Sequence, residues 1–269
     1  MKKTGYILLT VLISIVHILP FYLLLTTSFK PANDFSSKWL FPGRFYFGNF
    51  TNAWKNANLG QAFINNIIIT ACSLLLIIVI GAIASYPLSR FQTKLNKTIY
   101  AVFISAMIVP PLTTLVPLYQ LYVDIGAMNT YWGIVLLLVT FNMPITIFLY
   151  TGFIGSIPKE LDEAAMIDGM SRFRLFFKII LPLLKPITAT VIIMTGVGVW
   201  NDYQFSLFFL QKLNMHTVTV ALSSFFTQYS SNVGWVAAGS LLAALPLIVL
   251  YLFLQRYFVS GLSSGAVKG

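Results

Sequence analysis

Long apolar runs, separated by clusters of turn-forming or charged residues, set the pattern of this chain. Six runs are long enough to qualify as membrane helices, at about 20 residues per span. They cover approximately residues 6–28, 62–88, 98–122, 132–154, 186–210 and 236–258. The third contains Pro110, Pro111 and Pro117, which must break or kink it. Such breaks are tolerated where neighbouring helices satisfy the freed backbone groups. Between the first two runs, Lys30-Pro31, Phe41-Pro42-Gly43 and Asn-rich turns mark a structured connection from Phe29 to Gln61 rather than another span. The pattern predicts an all-α polytopic membrane protein with six transmembrane helices.

Composition strengthens that reading. Of the 269 residues, 58% are hydrophobic and 9% charged, and the mean hydropathy is +0.83. Soluble domains carry about 45–50% apolar and about 25% charged residues. A water-soluble enzyme, a disordered chain and a small secreted scaffold are excluded. The single cysteine, Cys72, rules out a disulfide framework or a Cys-rich zinc site. His17 and His216 are too far apart in sequence to form a metal-ligand spacing.

A net charge of +10 first suggests nucleic acid, so the position of the charges decides. No basic stripe is interleaved with exposed aromatics, and the aromatic residues sit mostly in or beside apolar runs, where interfacial Tyr and Trp belong. With the amino terminus inside, twelve basic residues fall on the cytoplasmic side: Lys2, Lys3, Arg90, Lys94, Lys97, Lys159, Arg172, Arg174, Lys178, Lys185, Arg256 and Lys268. Five fall outside: Lys30, Lys38, Arg44, Lys55 and Lys212. This bias places both termini in the cytoplasm. Lys2 and Lys3 ahead of an apolar run also fit a signal peptide, but no small-x-small cleavage site follows, which favours an uncleaved first helix.

One segment differs from a generic bundle. Nine charged residues lie between Lys159 and Lys185: those two together with Glu160, Asp162, Glu163, Asp168, Arg172, Arg174 and Lys178. Pro158 is placed to start a helix, and Glu160, Asp162 and Glu163 complement the positive end of its dipole. The spacing predicts a short helix over 159–168, ended by Gly169 in a left-handed cap. Ser171 then caps a second helix over 172–180, interrupted near the membrane by Pro182 and Pro186. Ala164 and Ala165 leave a flat face that another protein can approach closely.

These residues carry a resemblance. Glu163-Ala164-Ala165, three residues, Gly169, nine residues and Ile179-Ile180-Leu181-Pro182 resemble the coupling motif of the membrane subunits of binding-protein-dependent ATP-binding-cassette importers. Ser28-Phe29-Lys30-Pro31, Ser156-Ile157-Pro158-Lys159-Glu160-Leu161, Trp200-Asn201-Asp202, Gln255-Arg256-Tyr257 and the tail 261–269 are similar to the maltose-type sugar-permease branch. The likeness runs from about residue 5 to the end. It departs at Ser85-Tyr86-Pro87, where the family often reads Ala-Tyr-Ala before its basic residue, here Arg90. Pro87 is expected to kink that helix end.

The resemblance implies a single permease domain over 1–269, with a cytoplasmic coupling segment at about 158–182 and no catalysis by this chain. The chain has no Gly-x4-Gly-Lys-Ser/Thr phosphate loop, so it cannot hydrolyse ATP itself; the resemblance implies no cofactor bound by this chain, with ATP and Mg on a partner ATPase. The implied complex holds a second, homologous permease subunit as heterodimer partner, two ATP-binding subunits and an extracellular solute-binding protein. It sits in the lipid of a bacterial cell membrane and takes a carbohydrate, with no nucleic acid. On this family reading Glu163, Ala164, Ala165, Asp168, Gly169, Arg172, Leu181 and Pro182 couple the chain to the ATPase. The alternative is an amphipathic loop lying on lipid headgroups.

Polar side chains within the spans are the candidates for a solute path. Asp202 is the carboxylate inside a predicted span, roughly 24 Å beyond Pro186 at about 1.5 Å per residue. With Asn201 and Gln204 it offers donors and acceptors for hydroxyls, and Trp200 and Tyr203 offer flat faces for a sugar ring. The competing role for Trp200-Asn201-Asp202 is to cap or unwind the helix. Asn65, Asn66 and Asn142 either line the path or hydrogen-bond between helices. His17 is read as a helix-packing residue and Cys72 as a small apolar filler. A stand-alone secondary transporter or channel for a small polar solute would need several intramembrane acids or broken repeat halves, and Asp202 alone is thin support. An intramembrane hydrolase needs a paired-Asp, Ser-based or His-Glu-x-x-His arrangement, and none is present in the sequence.

Overall fold

A computed structural model of the protein describes residues 2–228 and 232–266, with side chains from Gly5 to Phe226 and from Asn232 to Gln255. The side chains of Arg256 and Tyr257, and the chain end with Lys268, lie outside the described residues. Among the described residues the regular structure is all helical. The elements are α1 (Lys2–Ser28), α2 (Gly48–Asn56), α3 (Leu59–Arg90), α4 (Lys94–Ala106), α5 (Leu115–Asp124) and α6 (Tyr131–Ser156). They continue with α7 (Glu160–Ile167), α8 (Arg172–Leu175), α9 (Leu181–Leu183), α10 (Lys185–Trp200), α11 (Gln204–Phe209), α12 (Val218–Gln228) and α13 (Val233–Ala266).

Four of these helices, α1, α3, α6 and α13, are long and apolar enough to cross a membrane alone. Two bent pairs raise the number to six when each is taken as one span. In the first, α4 and the segment Pro111–Asp124 meet at 96° across the break that Pro110 and Pro111 impose. In the second, Arg172–Leu183 and α10 meet at 70°.

The second pair corrects two expectations. The helix after Ser171 is not stopped by Pro182. One π turn, Phe176–Ile180, widens the spiral ahead of Pro182, and the helix runs on to Leu183 before the bend. The wider turn accommodates a residue that cannot donate an N–H. The fifth run is not one helix over 186–210 either: α10 ends at Trp200, and an irregular turn leads into α11. Pro87, by contrast, lies inside α3, which continues to Arg90.

Contacts divide the chain into two compact units. One comprises residues 1–64 and 216–246. Its core joins Ala53, Leu59 and Ala62 to Val218, Ala221, Leu222 and Phe225. Close packing there requires Gly239, because a Cβ would overlap Leu222 Cδ2. The exit of α1 is held by Asn49, whose Nδ2 donates to the carbonyls of Ser28 (2.9 Å) and Lys30 (2.7 Å). From Gly5 to Phe21, α1 is exposed throughout. Its polar residues turn inward on their own helix: Thr10, Ser14 and His17 bond the carbonyls of Tyr6, Thr10 and Ile13 at 2.8 Å. His17 therefore satisfies itself locally, and α1 tolerates polar atoms on an apolar surface. Cys72, on α3, is exposed.

The other unit comprises residues 65–215 and 247–269. Its centre is α6, which is apolar on every face and packs against α4 and α10. Ile147, Tyr150 and Ile154 of α6 are fully buried, with Ile77 of α3 and Val191 of α10. Small residues at Gly81, Ser85 and Ser89, spaced by four, let α3 approach α6 closely. A Cβ at Gly81 would overlap Thr146 Cγ2. Ser85 Oγ reaches the Ile147 carbonyl at 3.5 Å and Ser89 Oγ the Thr151 carbonyl at 3.0 Å.

Candidate functional site

The charged segment after α6 forms the helix–turn–helix that its sequence predicts. Ile157 leaves α6 in an extended conformation and Lys159 begins α7, with Glu160, Asp162 and Glu163 in the first turn. At the other end Gly169 has φ +77°. Its N–H bonds the Met166 carbonyl (3.1 Å), and the Met170 N–H bonds the Ala165 carbonyl (3.0 Å). This pair of reversed bonds closes the helix in a Schellman motif, which needs a residue tolerant of the left-handed region. Asp168 precedes it as the C-cap residue. Ser171 Oγ then accepts from the Arg174 N–H at 3.4 Å, at the start of α8.

Helix α7 has two faces. Asp162 and Ala165, three apart, are buried. Glu163, Ala164, Ile167 and Asp168 are exposed. The alanine pair is thus split: Ala164 faces out, while Ala165 packs into the core, because adjacent helical positions point about 100° apart. The outer face is apolar as well as charged, with Ile167 86% exposed and, on α8, Phe173 73% exposed. Glu163 enters neither of the two ion pairs found among the described residues, Arg90–Asp162 and Lys30–Asp34.

The buried face is fastened by residues that sequence reasoning used only for topology and helix polarity. Arg90 ends α3, and its Nε and Nη2 donate to the Asp162 Oδ2 (2.9 Å) and Oδ1 (3.1 Å). Tyr86 Oη donates to Oδ2 at 3.0 Å. The remaining amino group of Arg90, Nη1, donates to the carbonyls of Ile154 (3.1 Å) and Ile157 (2.9 Å), the open end of α6. One turn earlier on α3, Ser85 and Pro87 depart from the family pattern, while Tyr86 between them keeps it and is a ligand of the clamp. Arg172 adds a second tie: its guanidinium lies 4.7 Å above the Phe91 ring. Leu181 is partly buried against the core, and Pro182 is exposed. The sequence held one local signal for Asp162, its helical register with the buried Ala165. It held none for the pairing with Arg90, which bridges 72 positions.

The solute-path candidates separate into residues bonded to the scaffold and residues facing outward. Asn65 is buried: its Nδ2 donates to the Asn214 carbonyl (2.9 Å) and its Oδ1 accepts from Tyr131 Oη (2.7 Å). Asn66, also buried, donates to the Trp200 carbonyl at 3.1 Å, the end of α10. Asn142 bonds the Leu138 carbonyl of its own helix at 2.8 Å. Asp202 lies past the end of α10, not within it. Its carboxylate accepts from the Phe205 and Ser206 N–H groups (3.3 and 2.8 Å) and from Ser206 Oγ (2.7 Å), which starts α11. Trp200 is buried and Gln204 half-buried, whereas Asn201 and Tyr203 are exposed. No group of His, Cys, Asp and Glu able to hold a metal occurs among the described residues.

Comparison with known proteins gives this geometry its context. Residues 77–264 match the family model described as "Binding-protein-dependent transport system inner membrane component". The chain is 54% identical over 263 residues to the melibiose/raffinose/stachyose import permease protein MelC of Bacillus subtilis (strain 168), covering 97% of this chain and 95% of that one. It is 35% identical to the probable starch degradation products transport system permease protein AmyC of Thermoanaerobacterium thermosulfurigenes, over 97% of this chain and 95% of the relative. The maltodextrin transport system permease protein MdxG of Bacillus subtilis (strain 168) is 32% identical, over 100% and 96%. The fold is that of a solved bacterial ABC transporter involved in the import of the acidic polysaccharide alginate, with a TM-score of 0.81, 19% identity and 96% of each chain covered. The chain is a multi-pass membrane protein and belongs to the family of inner membrane components of binding-protein-dependent transport systems.

Proposed function

We propose that this chain is the membrane-spanning subunit of an ATP-driven importer that carries an oligosaccharide into a bacterial cell. The observation that carries this reading is the 54% identity, over 97% of the chain, to an import permease for melibiose, raffinose and stachyose. Those three sugars are the first solutes to test. The complex holds a second, related permease subunit, two ATP-binding subunits that supply ATP and Mg chemistry, and an external solute-binding protein. Both termini face the cytoplasm, in keeping with the basic residues around α7 to α9.

In this reading α7 and α8 form the lever. Glu163 offers a charge to a basic residue of the ATPase, Ala164 allows close approach, and Ile167 and Phe173 provide apolar contact area. Gly169 and Arg172 fix the angle at which the lever is held. Closure of the ATPase pair then moves the lever, and the spans tilt largely as rigid bodies. Along the solute path we assign hydroxyl recognition and ring stacking to Asn201 and Tyr203, whose side chains remain exposed. Asn65, Asn66 and Asp202 hold the backbone around them.

The test is purification in mild detergent of this chain expressed with its genomic neighbours, followed by reconstitution with the binding protein. Co-purification of an ATP-binding subunit and a second permease, with raffinose-stimulated hydrolysis and ATP-dependent uptake, is the expected result. A chain that purifies alone and transports in liposomes without ATP overturns it.

A further inference from the structure

We propose that Arg90, with Tyr86 and Asp162, is the positioning device that makes the coupling helix move as one body with the inner ends of α3 and α6. This rests on the importer reading, in which α7 receives the stroke of an ATPase. The argument begins with the connections of α7. Covalently it hangs between two short links, Ile157 to Lys159 on one side and Gly169 to Ser171 on the other, and the second turns at a glycine. Links of that kind bend under load, so a push on the exposed face of α7 would be spent on rotating the helix in place. The buried face removes that freedom.

Arg90 commits four of its five N–H donors, two to the Asp162 carboxylate and two to the carbonyls of Ile154, in the last turn of α6, and Ile157, just past its end. A guanidinium fork fixes both distance and orientation, which a lysine ammonium does not. Its charge also lies at the negative end of the α6 dipole. The Arg90 side chain is 4% exposed and that of Asp162 11%, so water competes weakly for these bonds. Tyr86 Oη takes a further lone pair of Asp162 from the same helix as Arg90. Above the clamp, Gly81, Ser85 and Ser89 keep α3 against α6 along successive turns. Load on α7 therefore reaches two membrane helices through Asp162, while Glu163, Ala164 and Ile167 stay free for the ATPase. Stability alone does not explain the choice of residues, because a buried ion pair is often no more stabilising than apolar residues of similar volume.

The experiment uses the reconstituted complex, comparing wild type with Asp162→Asn, Arg90→Gln and Tyr86→Phe. Uptake per ATP hydrolysed should fall by about tenfold in Asp162→Asn, within the range of a typical coupling free energy, and less in Tyr86→Phe. ATP-binding subunits should co-purify at wild-type levels. An unchanged ratio of uptake to hydrolysis in Asp162→Asn overturns the proposal, and so does a proportional loss of both. If Arg90→Gln fails to assemble, Arg90→Lys replaces it: the ammonium keeps the charge without the fork, and wild-type uptake per ATP in that variant sinks the idea. Amide hydrogen exchange on the purified chain reads the tie without any transport: residues 160–167 should exchange faster in Asp162→Asn than in wild type, and equal exchange refutes it. A wild type that needs no ATPase would instead overturn the importer reading, and the exchange result would stand separately.

Discussion

Asp162 and Asp202 both stand at the start of a short helix, yet their oxygens are engaged by different parts of the chain. Asp202 accepts from Phe205 and Ser206, three and four residues ahead, and so begins α11 where it stands. Asp162 leaves the dipole of α7 to Glu160 and Glu163 and turns instead to Tyr86 and Arg90, on a helix that ends 72 residues earlier. Through these bonds the first acid shapes its own turn, while those of the second join elements. A carboxylate near a helix start is thus assigned by where its donors come from. Local donors make a cap, as Phe205 and Ser206 do for Asp202. Distant charged donors mean a joint, and removing one leaves the other buried with its charge unanswered.

The largest expected effect breaks the joint. Arg90→Ala strips Asp162 of its counter-ion and opens the end of α6, and it should cost about 3–5 kcal/mol, the range for breaking a buried pair. A thermal melt of the purified chain in detergent should show a large loss, and a shift no greater than that of a surface variant would place the pair on the exposed side of the ledger. Next comes the helix contact above the joint. Gly81→Leu drives a side chain into Thr146 and should cost about 1–3 kcal/mol by overpacking. Wild-type melting would show that α3 and α6 part more easily than their contact implies. Gly169→Ala sets an L side chain at φ +77° and should cost roughly 1–2 kcal/mol. Because that strain falls on the proposed lever and not on a span, it should reduce uptake more than it reduces the amount of inserted protein. Equal losses in both would mean that the cap serves folding alone.

These differences also explain what was readable in the sequence. Local determinants were legible: the runs that became α1, α3, α6 and α13, the break at Pro110 and Pro111, the Gly169 cap and the Ser171 cap all depend on residues a few positions apart. The fifth run misled because its apolar character continues past Trp200, although Asn201 and Asp202 stop the helix and restart another. The short α12 was invisible for the opposite reason, being too brief to qualify as a span. The clamp was hidden for a third reason. Arg90 and Asp162 each had an adequate local explanation, as a cytoplasmic basic residue and as a dipole partner, and pattern reading stops once each charge has a purpose. Only the three-dimensional register of α3 against α6 brings them together.

The smallest effect separates the two acids most sharply. Asn is as good an N-cap as Asp, since either side-chain oxygen can accept from the N–H groups of the first turn. Asp202→Ala should therefore lose about 1 kcal/mol, the ordinary value of a cap, while Asp202→Asn, which keeps one acceptor oxygen where the carboxylate uses two, should lose less than that. Asp162→Asn has no such refuge, because its acceptor oxygens face a guanidinium that needs a full negative charge. Comparing the two Asn variants side by side, by melting and by uptake, isolates charge from shape. If Asp202→Asn melts like wild type and transports like wild type, the carboxylate acts through its cap and the path is left to Asn201 and Tyr203. If it melts normally but transports poorly, the charge itself meets the solute, and Asp202 returns to the path as a binding group.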